Sequence, residues 1–240
     1  KVHLENSLLH KQLKELNNKK NTFFSIIAKD MKDDLDEIFS RITDLQDFIN
    51  SNDLKAAKDS LSKLNKFNNE TKSYLKNLIY WSRLETNLIK LTSEKVSISK
   101  VMNDILKSYS EAILTKKIII ENDLTPNEVF ALADEYSLRI ILENLLSNAI
   151  KFTNYHEFVK IKTAFDSNKI TLTIINKGMF FTKSIQDKIF NFEYHLDRQL
   201  NDTEKGSGLG LALCKELVEK NGGLFWINAD GNITEISFTL

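Results

Sequence analysis

The stretch "NLLSNAIKF", Asn144 to Phe152, lies within the longer helical pattern "EYSLRIILENLLSNAIKF". Asn144, Asn148 and Lys151 step by four and three residues, so all three project from one face of a helix. An amide oxygen can ligate Mg²⁺ and an ammonium can neutralise a phosphate, so a face offering both suits a nucleoside triphosphate. Alone, the asparagines would read as surface polar residues. A second segment downstream weighs against that. In "GSGLGLALCKELV", Gly206, Ser207, Gly208, Leu209 and Gly210 lead directly into a helix. The glycines let backbone amides and the helix N-terminus approach an anion. Such a loop is weak evidence by itself and strong evidence beside the asparagine helix.

Working outward, the chain has two grammars. Residues 1–88 contain no proline or glycine, and their apolar positions recur at helical spacing: Ile27, Met31, Leu35, Ile38, Ile42, Leu45, Ile49. "NSND", 50–53, is a turn, and a second stripe then runs from Leu54 to Leu84. Two long helices across a short turn make an antiparallel hairpin. One hairpin cannot bury both stripes, so pairing with a second copy into a four-helix bundle is expected. "LLHKQLKEL" reads as a coiled-coil lead-in. From residue 89 strands and helices alternate. The expected strands are "LIKLT", "KIIIEND", "EVFALAD", "EFVKIKTAF", "KITLTIIN", "LFWINA" and "NITEISFTL". Ser97 and Asp134 are expected to cap helices, a short helix is expected over 183–189, and a final hairpin turns at Asp230-Gly231. The fold class is α+β: a helical hairpin over 1–88, then an α/β sandwich over 89–240 with helices on one sheet face.

Basic and acidic residues number 33 each, so no net charge argues for nucleic acid or an anionic surface as partner. Cys214 is the single cysteine, which excludes an intramolecular disulfide, fits a reducing compartment and reads as helix core. No apolar run approaches the ~20 residues that span a bilayer. The chain begins at Lys1 already in helical register. It is expected to be a cytoplasmic fragment, with membrane anchoring of the full protein left open.

These segments together resemble the sensor histidine kinase family along essentially the whole chain. Residues 1–88 look like its dimerisation and phosphoacceptor domain, and 89–240 like the ATP-binding domain shared with gyrase, Hsp90 and MutL. "NLLSNAIKF" is similar to the N box, which implies Asn148 as the Mg²⁺ ligand and Lys151 as a phosphate contact. "GSGLGL" looks like the G2 box and "KIFNFEYH" like the F box before a lid, where Arg198 and Lys205 are phosphate-facing candidates or plain solvated charges. The resemblance implies ATP and Mg²⁺ as cofactors, a homodimer, and a response-regulator receiver domain as partner. Related ATPases carry a glutamate where Asn144 stands; an amide has no basic lone pair to activate water, so an ATP-hydrolysing machine is not expected.

Two boxes depart from the family. "IINKGMFF" stands at the G1 box, with Asn176 for the aspartate that accepts the adenine amino proton, Gly178 kept, and Phe180 for the second glycine. Asn176 can still accept that bond without charge assistance, so weaker affinity is expected. The phosphoacceptor box, commonly His-Asp/Glu-x-x-Asn/Thr-Pro, reads Lys29-Asp30-Met31-Lys32-Asp33-Asp34. Autophosphorylation needs a neutral imidazole, and lysine, ordinarily titrating near ~10.4, has no free lone pair at neutral pH. Position 29 lies off the Ile27 stripe and is expected to be exposed. Asp33 cannot donate the hydrogen bond an amide or hydroxyl would, and Asp34 replaces a helix-bending proline. His3, His10, His156 and His195 read as ordinary polar residues. The expectation is a pseudokinase that signals by conformation and binds Mg-ATP weakly. The rivals are an active kinase using another histidine or a heterodimer partner, and a nucleotide-free dimeric module that docks a response regulator.

Overall fold

The computed structural model describes residues 10, 14, 28–29, 31–85, 91–124, 128–166, 169–178 and 209–240. It divides into two compact units, Lys1–Lys76 and Asn77–Leu240. The change of sequence pattern at 88/89 falls later than this division, because the last turns of the second long helix group with the sheet domain.

In the first unit, α1 (31–50) and α2 (Leu54–Glu85) form the expected antiparallel hairpin. Asn52 closes the turn in the left-handed region at φ 58°, which asparagine tolerates. Asp53 then caps α2, its Oδ1 accepting from the Ala56 amide at 3.0 Å. Across the hairpin Thr71 Oγ1 donates to Asp34 Oδ2 at 3.0 Å, and the Arg41 guanidinium lies 5.5 Å from the Phe67 ring centre. Much of the apolar surface stays open: Phe39 is 66% exposed and Ile49 54%. Ala57 is the one buried apolar residue among the unit's described residues.

The second unit carries a five-stranded mixed sheet in the order β2-β4-β5-β7-β6. Its strands are β2 Ile119–Asn122, β4 Phe158–Asp166, β5 Lys169–Lys177, β6 Phe225–Asp230 and β7 Ile233–Thr239. β2 pairs parallel with β4, and the other neighbours are antiparallel. β1 (Glu94–Ser97) and β3 (Phe130–Ala133) form a separate antiparallel ribbon. Helices α3 (Ile98–Ser108), α5 (Glu135–Phe152) and α6 (Leu209–Lys220) cover one sheet face, and α4 (Ser110–Lys116) leads into β2. Leu172, Ile174, Ile236 and Phe238 point into the core with Leu142, Leu145 and Leu146 of α5. The opposite face carries cross-strand ion pairs such as Lys160–Glu121 at 3.1 Å, which marks it as solvated.

Three details differ from the sequence expectation. The first strand among the described residues lies at Glu94–Ser97; Leu91 and Thr92 of "LIKLT" are outside it, and 88–90 fall outside the described residues. Leu91 packs on the core without a ladder, and the Thr92 amide donates to Asp134 Oδ2 at 3.1 Å instead of to a strand. The helix after Ser97 breaks at Tyr109 into α3 and α4. The final hairpin turns over Gly231–Asn232, one residue later than expected, with Gly231 at φ 57°. The expected helix at 183–189 lies outside the described residues.

Candidate functional site

Helix α5 organises the site. Its start is fixed by Asp134, whose Oδ1 accepts from the Ser137 amide and from Ser137 Oγ, both at 2.8 Å. Tyr80, on the last turns of α2, shares a 2.9 Å hydroxyl–hydroxyl bond with Ser137 Oγ. Burial pushes the Tyr80 phenol above its ordinary value; the Ser137 bond lowers it and the nearby Asp134 charge raises it further.

The other end of α5 is held as firmly. Lys116 Nζ donates to the carbonyls of Ile150 at 2.9 Å, Lys151 at 2.7 Å and Thr153 at 3.1 Å. A cation on orphan carbonyls suits the negative end of a helix. Thr153 bridges to Gly178, just past the end of β5. A Cβ on Gly178 would collide with the Phe152 carbonyl oxygen, so only glycine allows this approach.

Between these ends, Leu138, Leu142, Leu145, Leu146 and Ala149 are buried, while Asn144 and Asn148 are half-exposed and Lys151 is exposed. Asn144 is pinned: its Nδ2 donates to the Ile140 carbonyl at 2.8 Å, and its Oδ1 accepts from Asn77 Nδ2 at 2.8 Å. Gly210 of α6 presses on that oxygen, since a Cβ there would lie 2.7 Å from it. α6 packs along α5 with Cys214 buried, its thiol 3.8 Å from the Ile141 carbonyl. Asn148 keeps its side chain clear of every hydrogen bond among the described residues. Asn176, on β5, is only 6% exposed. The structure therefore brings Asn144, Asn148, Lys151, Asn176, Gly178 and Gly210 to the C-terminal half of one helix.

Residues 133–240 match the family model described as histidine kinase-, DNA gyrase B- and HSP90-like ATPase. The chain is 35% identical to the sensor histidine kinase YcbM of Bacillus subtilis over 150 residues, 60% of this chain and 48% of YcbM. It is 26% identical to the sensor protein kinase WalK of Staphylococcus epidermidis over 166 residues, 68% of this chain and 27% of WalK. These matches support membership of the sensor histidine kinase family. Solved histidine kinases share its fold. Acinetobacter baumannii AdeS matches at TM-score 0.60 and 21% identity, over 85% of this chain and 96% of that one. The kinase ThkA, in its complex with the response regulator TrrA, matches at 0.63 and 19%, over 90% of this chain and 62% of that one. The chain spans less than half the length of these curated relatives.

Lys29 is helical and exposed, as expected, and Asp33 is exposed as well. Asp34 is half-buried and bound to Thr71. Asp30, Phe180, His3, His195, Arg198, Lys205, Gly206, Ser207, Gly208 and the Leu209 side chain lie outside the described residues. His10 is exposed. His156 is followed by Glu157, the kind of acidic neighbour that Asp30 makes for position 29. Yet His156 sits in a turn at φ 65°, and Glu157 is engaged by Lys177 at 2.8 Å. The sequence reading missed Asn77, Tyr80 and Lys116, which act through contacts that no local pattern encodes. Among the described residues no helix is long and apolar enough to cross a membrane.

Proposed function

We propose that this chain is the core of a two-component sensor kinase that binds Mg-ATP weakly, does not phosphorylate itself at the usual position, and signals by conformation. The observation that carries the reading is Lys29, an exposed helical ammonium where the family's acceptor box places an imidazole. An ammonium has no lone pair to attack a γ-phosphate. Support for nucleotide comes from the face of Asn148 and Lys151 beside the start of α6. The Asn148 oxygen has no competing partner among the described residues, so it fits a single protein ligand to Mg²⁺. Mg²⁺ ordinarily completes its octahedron with phosphates and water. It would arrive with the nucleotide and neutralise phosphate charge. Lys151 would meet a phosphate, and Gly178 and Gly210 would keep backbone close.

The open apolar stripes of α1 and α2 support a homodimer, and a response-regulator receiver domain is the partner class the fold suits. A second reading, a docking module without nucleotide, is favoured by one observation: the Asn144 amide is already satisfied by Asn77 and Ile140. Calorimetric titration with Mg-ATP separates the two readings. Incubation with labelled Mg-ATP tests the first: no acid-labile phosphate should appear on the chain. Robust phosphorylation at any histidine would refute the pseudokinase assignment.

A further inference from the structure

The two helices of the hairpin carry opposite charge. α1 (31–50) has six acidic and two basic residues, and α2 (Leu54–Glu85) has three acidic and seven basic. The whole chain is neutral, so this is a sorting within the hairpin and not a bulk bias. Asp33, Asp36, Asp44 and Asp47 on α1 are exposed, as are Lys55, Lys58 and Lys72 on α2. Two ion pairs of the hairpin, Arg41–Glu37 at 2.7 Å and Lys63–Asp59 at 3.1 Å, each run within one helix. The Thr71–Asp34 bond fixes the level of one helix against the other. In an antiparallel pair rising equally per residue, Asp33 is then level with Lys72, and Asp47 with Lys58 nearer the turn. Charges scattered at random over a helix surface are solvated and contribute little. Charges sorted by helix and matched by level can be read by a second hairpin.

We propose that this sorting selects the hairpin's partner: a second copy of the same chain, seated so that each acidic α1 lies between two basic α2 helices. The proposal rests on the homodimer reading above and adds what chooses the partner. The apolar stripe left open at Leu35, Phe39, Ile42, Ile49, Leu54 and Leu61 supplies attraction without choice, since any apolar hairpin would cover it. Charge supplies the choice. A two-fold axis along the helices puts α1 diagonal to its copy, so α1 borders its own α2 and the α2 of the second copy. The same axis brings the second copy's basic residues to the levels of this chain's own, those of Asp33 and Asp47. Charges flanking an apolar seam set partner choice and orientation in coiled coils in the same way. A hairpin with two acidic or two basic helices would meet like charge at one of the two seams and be rejected.

The test uses the 240-residue chain, with dimerisation read by sedimentation equilibrium and partner choice by native mass spectrometry. One variant makes α1 basic: Asp33→Lys, Asp36→Lys, Asp44→Lys and Asp47→Lys. The other makes α2 acidic: Lys55→Glu, Lys58→Glu and Lys72→Glu. The unmodified dimer should weaken at least about threefold as sodium chloride rises from about 50 to about 500 mM. Each variant alone should dimerise at least about tenfold more weakly than the parent, and the two together should form the mixed dimer in preference to either homodimer. A basic-α1 variant that dimerises as tightly as the parent overturns the proposal, and so does a statistical mixture of the two variants. A parent dimer indifferent to salt and to charge reversal sinks this proposal and leaves the homodimer reading standing; a monomeric parent sinks both. Should a variant be unfolded alone by circular dichroism, folding regained on mixing supports the proposal. Should the mixture stay unfolded, the single exchanges Asp47→Lys and Lys58→Glu decide in its place, with the mixed dimer expected at about twice its statistical share or more.

Discussion

Lys116 is the residue whose removal should report most directly on the α5 framework. Lys116→Met keeps the aliphatic stem and deletes the ammonium that holds the carbonyls of Ile150, Lys151 and Thr153. A hydrogen bond from a charged donor ordinarily contributes about 1.5–3 kcal/mol, and a cation at a helix C-terminus about 0.3–1 kcal/mol. These do not simply add. One ammonium serves three acceptors, and the Lys151 contact is exposed, so water replaces it there. A net loss of about 2 kcal/mol follows, most of it from the half-buried Ile150 and Thr153 carbonyls. For a unit of this size that lowers Tm by about 4–8 °C. The assay is thermal unfolding by circular dichroism, with Lys116→Arg as the conservative control. The end of α5 also meets Gly178 through Thr153, so Lys116→Met should weaken Mg-ATP binding and Lys116→Arg should recover part of it. A Tm within about 1 °C of the parent would refute the reasoning, because the carbonyls would then be satisfied equally well by water.

Burial raises the Cys214 thiol far above its ordinary value, so the native state keeps it neutral. With the folded value raised, the stabilisation is whole below about pH 8.5 and declines as pH rises beyond it, by up to about 1.4 kcal/mol per pH unit. Urea unfolding should show this slope between pH 8 and 10, Cys214→Ala should flatten it, and native Cys214 should resist alkylation. Tyr80, also raised chiefly by burial, adds a loss of the same sign above about pH 10. Asn77→Ala leaves Asn144 Oδ1 without its donor and should cost about 1 kcal/mol in chemical denaturation; no change would mean that water takes Asn77's place. Light scattering at micromolar concentration should give twice the 27.7 kDa chain mass, and a monomer would count against the bundle. Lys29→His alone should restore little phosphorylation, whereas Lys29→His, Asp34→Pro and Asn176→Asp together should give acid-labile phosphate at position 29.

Most of the sheet domain was legible because its signals are local. Asp134 precedes a helical pattern and caps it, and "KITLTIIN" alternates into a strand whose inward positions are buried. Gly222, at φ 79°, ends α6 within "NGG", 221–223, a local helix-stop signal. The asparagine helix and the start of α6 were legible as a pair because each spacing has a chemical meaning. What escaped depends on distance in the chain. Lys116 reads as an unremarkable lysine after a short helix, and nothing local tells that its ammonium lies under the end of α5. Asn77 sits in a helix whose pattern promised only bundle packing, yet its amide is spent on Asn144 in the other half of the sequence. Of "LIKLT", Leu91 and Thr92 lie outside a strand because β3 pairs with Glu94–Ser97 instead.

Asp34 shows why the acceptor region cannot be treated as a site awaiting one missing side chain. In the family's box its position belongs to a proline that bends the helix. In this chain the carboxylate accepts a 3.0 Å bond from Thr71 of the facing helix, inside a hairpin with little buried apolar surface to hold it. Replacing Asp34 by proline therefore removes a cross-helix tie and a backbone donor together, at about 3 kcal/mol for the proline alone. Any gain in reach for a histidine at position 29 competes with that loss. The region that carries Lys29 has other contacts built into it. The α5 framework, by contrast, still sets Asn148 and Lys151 on one open face with Gly178 and Gly210 close against the helix. Under the proposed function, such a chain would respond to a nucleotide without an imidazole at position 29 to receive its phosphate. That proposal makes conformation, carried where Asn77 and Tyr80 of α2 meet α5, the output.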